Sequence, residues 1–410
     1  MPESAKINDH EFWSGPRKGE KVKLCLRRWV HSAPIAAPGS QRKPVLLLHN
    51  ASGSHKIYTI PDSRENQPRC LLDWLVSEGF DPWLLDWRSS YLTVADPDNQ
   101  KVLTNHGDEF NFHNAAEFDI PMAVKKMQAQ LGKEQPIGIV GFCMGAATLA
   151  EAIAGGWLDN INVTHAVFMT IGLFFAVPFD TRLKGDERTL ERLKVSADSF
   201  HSVDPRVREV NEGDEVELQA PWPDELEGLY NMWPGRFKPH NTGQSQSEPS
   251  DVRCALEMYN RLSFIYGTTY EERKLVPEIH RPEGSRQPEL VGQFGAMPLH
   301  MLIHGAQDVR RGCAADYNSS EELKDAQLLS SDALARFGKL ERVTLITGEK
   351  NRVWHRESID LMYEWLHRLP SNHWRKLNKI IYPDFGHLDL LWGKDSVRKV
   401  FPEIKHGLEN

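Results

Sequence analysis

The chain has 410 residues, of which 40% are hydrophobic and 26% charged, with a formal net charge of −8. Acids and bases are mixed without a basic block, which argues against a nucleic-acid partner. No apolar run is long enough to span a bilayer, and the segment MPESAKINDHEFWSG lacks the apolar core of a signal peptide. The five cysteines are scattered and form no CxxC pair, so they indicate neither a disulfide framework nor zinc. We therefore expect a cytoplasmic location.

Strands and helices alternate in the first part of the chain. Short apolar runs bounded by turn residues predict strands over 21–31, 44–50, 81–88, 136–142 and 165–175. Apolar residues three and four positions apart predict helices over 70–80, 115–132 and 144–156. This alternation is typical of a mostly parallel sheet with helices on both faces.

The alternation stops after about residue 177, where charge and proline increase and 239–251 has the composition of a loop. It resumes near the C-terminus, with predicted strands over 342–351 and 377–387 and a helix over 356–369. We therefore predict an α/β core of residues 1–177 and 340–410. The inserted segment 178–339 is expected to be a large, mainly helical lid.

The motif GFCMG at 141–145 lies between a predicted strand and a predicted helix. A glycine, a nucleophile two positions later and a second glycine are typical of the strained strand-to-helix turn called the nucleophile elbow. The side chain of Cys143 would project at the N-terminus of the helix, where the helix dipole favours a thiolate. A buried structural cysteine on a glycine-rich turn is the alternative.

The segment LLLHNASG at 46–53 ends another predicted strand. In the elbow arrangement, one backbone N–H from such a loop and one from the residue after the nucleophile form an oxyanion hole. We expect these donors at Ala51 and Met144, with Asn50 as the alternative for the first.

The histidine of YPDFGHLD at 382–389 follows the last predicted strand, which makes His387 the candidate general base. Two residues could orient it, since both Asn351 and Asp308 follow a glycine after an apolar run. Only Asn351 is followed by one helix and then the strand that leads to His387. We therefore predict Cys143–His387–Asn351, with 296–311 as a helix of the insertion and Asp308 as the alternative acid. An asparagine is compatible with a cysteine nucleophile, because a thiol ionises more easily than a hydroxyl.

Several stretches resemble the α/β-hydrolase superfamily, among them GFDPWLLDWRSS, IVGFCMGAATL, LITGEKNRVWHRESIDLMYEWL and DFGHLDLLWGKDSVRKVFPEI. They are most similar to the hydrolase-type region attached to glucose–methanol–choline oxidoreductases of the cholesterol-oxidase type. The C-terminal block also resembles acid lipases, which have an aspartate where this chain has Asn351. The resemblance implies an α/β-hydrolase fold and acyl chemistry, without the flavin-binding part.

The residues predict a cysteine-dependent hydrolase that cleaves a carboxylic ester, thioester or lactone through a thioester acyl-enzyme. Acyl transfer or polymerisation by the same Cys143–His387 pair is one alternative, and a non-catalytic binding protein is another. No metal or organic cofactor is expected. The expected partner is a small, partly apolar acyl substrate, bound in a pocket walled by aromatic residues of the lid. A homodimer is a further hypothesis.

Overall fold

The structure is a computed structural model that describes residues 5–15, 21–31, 42–60, 70–178, 202–203, 297–317, 328–393 and 395–409. Its strands are β1 (Ala5–Ser14), β2 (Val22–His31), β3 (Lys43–Leu48), β4 (Phe80–Asp86), β5 (Ile137–Phe142), β6 (Val163–Met169), β7 (Ser202–Val203), β8 (Met297–Pro298), β9 (Arg342–Gly348) and β10 (Leu377–Tyr382). Its helices of seven residues or more are α1 (Leu71–Ser77), α2 (Pro97–Asn105), α3 (Ile120–Leu131), α4 (Met144–Ala154), α5 (Leu299–Arg311), α6 (Ser331–Gly338), α7 (Glu357–Leu366) and α8 (Ser396–Gly407). Shorter helical segments are Tyr91–Ala95, Phe112–Asn114, the π-helix Ala115–Asp119 and Asp389–Trp392, with 3₁₀ turns at His55–Tyr58, Gly107–Glu109 and Ser371–Lys376.

Eight of these strands form one sheet in the order β1-β2-β4-β3-β5-β6-β9-β10. Strand β2 is antiparallel to both β1 and β4, and the remaining pairs are parallel. A mostly parallel sheet of this order, with a strained strand-to-helix turn directly after β5, is the α/β-hydrolase fold. The predicted fold is therefore confirmed.

The inner parallel strands form the core because they consist almost entirely of apolar residues. Every residue of β4 and β5 is buried, and so is β3 from Pro44 onward. Strand β10 is partly exposed on all six residues, as befits its position at the edge of the sheet. Parallel strands that are covered on both faces read as continuous apolar runs, which is why these segments were predictable.

The described part of the inserted segment borders the core. Helix α5 confirms the helix predicted over 296–311, and the chain after it pairs with the chain after β6 through Phe174 and Cys313. Helix α6 packs on the sheet, with the ring of Phe337 6.0 Å from that of Phe168. Apolar residues at helical spacing also predict a helix over 255–272, and the aromatic residues expected to wall the substrate pocket are Trp222, Tyr230, Trp233 and Tyr259. All of these residues lie outside the described ranges.

No helix within the described ranges combines the length and the apolar character that a membrane crossing requires.

Candidate active site

Cys143 forms the turn between strand β5 and helix α4. Its backbone has φ 57° and ψ −129°, a conformation that costs a residue with a Cβ free energy and that accumulates at functional sites. The neighbouring glycines make the turn feasible: a Cβ on Gly145 would meet the end of β3, and one on Gly141 would meet the first turn of α4. The Cys143 N–H donates to the Met169 carbonyl at 3.0 Å, which holds the turn on the sheet.

The sulfur of Cys143 accepts three hydrogen bonds. The Trp354 indole Nε1 donates to Sγ at 3.4 Å, and the backbone N–H groups of Met144 and Ala51 also donate to it. Burial raises the pKa of the thiol to about 12, which outweighs the lowering by these three donors. Cys143 is therefore a neutral thiol, and the helix N-terminus does not produce the thiolate that the sequence favoured.

The loop after β3 carries Ala51 and is held tightly. Ser52 has φ 56°, and its N–H donates to the Ser89 hydroxyl at 3.3 Å. The Tyr58 hydroxyl, a few residues on, donates to the Leu48 carbonyl at 2.7 Å. The structure thus brings together the two N–H groups predicted for the oxyanion hole, Ala51 and Met144, at the sulfur of Cys143.

His387 lies beside the elbow and contacts Asn351. Its ring packs on that of Phe142, with centroids 5.2 Å apart, and its Nδ1 lies 3.2 Å from Asn351 Oδ1. The same oxygen accepts the backbone N–H groups of Val353 at 3.0 Å and Trp354 at 3.1 Å. Because backbone N–H groups can only donate, they identify this atom as the amide oxygen. His387 therefore donates from Nδ1, and Nε2 carries the lone pair of a base.

The His387 imidazole is neutral at rest. It is 1% exposed, and burial lowers its pKa to about 3. The Asn351 amide orients the ring without contributing a negative charge that would favour the imidazolium. The site thus combines a neutral thiol at the elbow with a neutral imidazole whose ring packs on Phe142, the residue before Cys143.

The loops after β9 and β10 meet because their backbones are joined. The Glu349 N–H donates to the Tyr382 carbonyl at 2.8 Å, and the Lys350 N–H donates to the Phe385 carbonyl at 3.0 Å. Adjacent parallel strands present their carboxyl ends at the same edge of the sheet. This pairing places Asn351 against His387, as the predicted strand–helix–strand order requires.

Asp308, the alternative acid, lies in another environment. It is a residue of helix α5, where Oδ1 accepts the Ala315 N–H at 3.2 Å and lies 3.7 Å from His304 Nε2. The structure places Asn351, and not Asp308, at Nδ1 of His387.

A buried cluster around Asp86 supports the loop after β3 and was not foreseen from the sequence. The carboxylate of Asp86, the last residue of β4, accepts four hydrogen bonds. Two come from His55, whose backbone N–H lies at 2.9 Å and whose ring Nδ1 lies at 2.8 Å. The other two come from Arg27 Nε at 3.0 Å and the Ser90 hydroxyl at 3.1 Å. Burial raises the pKa of Asp86, but the hydrogen bonds from His55 and the electrostatic interactions with His55 and His49 lower it by more. The pKa of Asp86 is therefore well below its usual range. Asp86 is therefore a buried anion that fixes the loop bearing Ala51.

Trp354 is the second feature that sequence reasoning missed. Its signal was its position three residues after Asn351, because an asparagine side chain commonly accepts backbone N–H groups two and three residues on. No group of three or more His, Cys, Asp or Glu residues suited to a metal ion occurs in the described part of the chain.

No protein-family model matches this chain, and no curated protein sequence matches it. Several solved structures are similar to this chain at low sequence identity. Esterase E22 is 13% identical with a TM-score of 0.49, over 99% of this chain and 100% of its own. The peroxisomal α/β-hydrolase Lpx1 of Saccharomyces cerevisiae is 11% identical with a TM-score of 0.47, over 98% and 90%.

A membrane phospholipase A described as a bacterial virulence factor is 11% identical with a TM-score of 0.45, over 98% of this chain and 87% of its own. At such identities the likeness concerns the fold, and the substrates of these proteins do not carry over to this chain.

Proposed function

We propose that this protein is a cysteine-dependent acyl hydrolase that cleaves a carboxylic ester, thioester or lactone through a thioester acyl-enzyme. The observation that carries the proposal is the convergence of a strained elbow cysteine, two backbone N–H groups and an oriented neutral histidine at the carboxyl edge of the sheet. These are the parts that acyl transfer to a side-chain nucleophile requires.

In the first half of the reaction, the Cys143 sulfur attacks the carbonyl carbon while its proton moves to Nε2 of His387. The carbonyl oxygen becomes an anion and accepts the N–H groups of Ala51 and Met144. Collapse of this intermediate breaks the bond to the alcohol or thiol, which takes the proton from His387 as it leaves. Cys143 then carries the acyl group as a thioester.

In the second half, water attacks the thioester carbonyl and gives a proton to His387. The carbon–sulfur bond breaks, the carboxylic acid leaves, and the proton returns to the Cys143 sulfur. Asn351 keeps Nδ1 of His387 protonated in both halves, so that Nε2 faces the reacting atoms. The inserted segment 178–339 would form the lid over this edge of the sheet.

Acyl transfer through the same cysteine is the second candidate. It is favoured by the burial of Cys143, His387 and Asn351, all at most 3% exposed. A site that limits water gives an alcohol, amine or thiol acceptor the advantage in resolving the thioester.

The test is to incubate the protein with p-nitrophenyl esters and acyl thioesters, quench it, and locate an acyl adduct by intact mass and peptide mapping. We expect the adduct on Cys143 and none in Cys143→Ala. Cys70→Ser is the matched control, because the Cys70 thiol is also buried, which raises its pKa to about 12, yet it lies at the start of α1.

The rate at which the adduct is lost separates the two candidates. Loss to water alone indicates a hydrolase, whereas loss only after an acceptor is added indicates a transferase. An adduct that persists in Cys143→Ala, or no adduct with any donor, would contradict the proposal and favour a non-catalytic protein.

A further inference from the structure

Trp354 makes a contact with the candidate nucleophile that a packing role does not require. Its indole Nε1 donates to Cys143 Sγ at 3.4 Å, and both residues are buried. A neutral thiol sulfur is a weak acceptor, whereas a thiolate accepts strong, charge-assisted hydrogen bonds. The donor is therefore placed where it gains most after Cys143 loses its proton.

The position of the indole is fixed from three directions. The Trp354 backbone N–H donates to Asn351 Oδ1, and the ring meets Phe175 edge to face with centroids 5.3 Å apart. The next residue, His355, donates its backbone N–H to the Ala176 carbonyl at 2.9 Å. A donor held in this way loses little conformational entropy when charge develops on the sulfur.

The charges around the site explain why such a donor is needed. Elsewhere, a carboxylate beside the catalytic histidine stabilises the imidazolium, but here Asn351 is neutral. Within the part of the chain that the structure describes, two titratable groups lie beside the elbow. They are His387, whose ring packs on Phe142, and Tyr58, whose pKa is raised well above its usual value by burial and by nearby Cys143. Neither supplies a positive charge at rest, so the ion pair must be stabilised from the sulfur side.

We propose that Trp354 is a catalytic residue that stabilises the Cys143 thiolate by donating its indole N–H to the sulfur. The inference rests on the proposed function and adds a third donor to it. When the S–H bond breaks, the proton moves to Nε2 of His387, the electron pair stays on sulfur, and Trp354 keeps its own proton. When the thioester breaks in the second half of the reaction, the same N–H donates a hydrogen bond to the departing sulfur.

The first test is Trp354→Phe, which keeps an aromatic ring and removes the donor. The rate at which iodoacetamide alkylates Cys143 is measured from pH 7 to pH 10 by peptide mapping. The alkylation rate rises with pH as the thiolate forms. In Trp354→Phe we expect this rise to occur about one pH unit higher, which is about a tenfold slower alkylation at each pH. Trp365→Phe is the matched control, because Trp365 is also a buried indole but its Nε1 has no hydrogen-bond partner among the described residues.

The result that overturns the inference is an unchanged or faster rate in Trp354→Phe, since an indole that only covered the thiol would expose it when shortened. If this variant does not fold, replacement of Trp354 by the isosteric benzothiophene analogue of tryptophan gives the same readout. The alkylation experiment requires no ester substrate. A failed acyl-adduct experiment would therefore overturn the proposed hydrolase. An unchanged pH dependence of Cys143 alkylation in Trp354→Phe would overturn the role of Trp354.

Discussion

Two histidines at the same edge of the sheet have opposite kinds of partner. His55 Nδ1 lies 2.8 Å from Asp86, a buried anion that also bonds Arg27. His387 Nδ1 lies 3.2 Å from Asn351, which is neutral. The pair with Asp86 anchors the loop that bears Ala51, and the pair with Asn351 lies beside the elbow of the candidate nucleophile. The buried negative charge of Asp86 thus holds a loop in place, whereas the candidate base His387 is oriented by a neutral amide.

The largest expected effect comes from removing the charge of the architectural pair. Asp86→Asn leaves Arg27 without its buried counter-charge, which typically costs about 3–5 kcal/mol in the free energy of unfolding. Urea unfolding measures this loss. Asp9→Asn is the control, because Asp9 pairs with the same Arg27 but its side chain is 47% exposed, and such pairs contribute about 0.2–1 kcal/mol. Equal losses in the two variants would contradict the role assigned to Asp86.

The pH dependence of the free energy of unfolding tests whether His387 is buried as a neutral ring. Burial lowers the pKa of His387 from 6.5 to about 3, so the folded state favours the neutral ring. Its contribution to stability is complete above pH 6.5 and is lost as pH falls toward 3. At pH 5 the loss from this group is about 2 kcal/mol.

The measurement is the free energy of unfolding at pH 7.5 and pH 5 for the wild type and for His387→Gln. We expect the variant to lose about 2 kcal/mol less than the wild type between these pH values. The comparison within each protein removes the constant cost of the substitution. The same loss in both proteins would show that His387 does not carry this pH dependence.

A smaller effect is expected when the neutral partner of His387 is given a charge. Asn351→Asp keeps the acceptor for the N–H groups of Val353 and Trp354 and places a carboxylate at Nδ1. An opposite charge at this distance should raise the pKa of His387 by at least about one unit, which ¹H–¹³C NMR of the imidazole follows directly. Asp308→Asn is the control and should leave this titration unchanged. A shift in the control, or none in Asn351→Asp, would reassign the orienting residue.

Much of the fold was predictable because its inner strands are unusually apolar. The segments VLLLH and IGIVGF read as buried strands, and parallel pairing follows from the helices between them. Strand β1 was missed because it is an antiparallel edge strand with charged residues along it. An edge strand needs no apolar run, since one side of it faces water.

The candidate site was predictable where chemistry is local in sequence. The elbow at Cys143 and the Asn351 and His387 loops each follow one strand. The structure joins Asn351 to His387 and packs the His387 ring on Phe142 at the elbow. The pair formed by Asp86 and His55 was not visible, since Asp86 ends one strand, His55 follows another, and the two residues are 31 positions apart. Trp354 was missed because its backbone turn is local but its indole contact with Cys143 spans 211 positions.

The amide oxygen of Asn351 has a consequence beyond orienting a base. One atom accepts Nδ1 of His387 and the backbone N–H of Trp354, so it sets the direction of both the proton acceptor and the indole donor. A substitution at 351 therefore disturbs both directions at once. Among natural variants of this chain, residue 351 should change only to a side chain with an oxygen in the same place. Any other replacement would have to arise together with a change at 354.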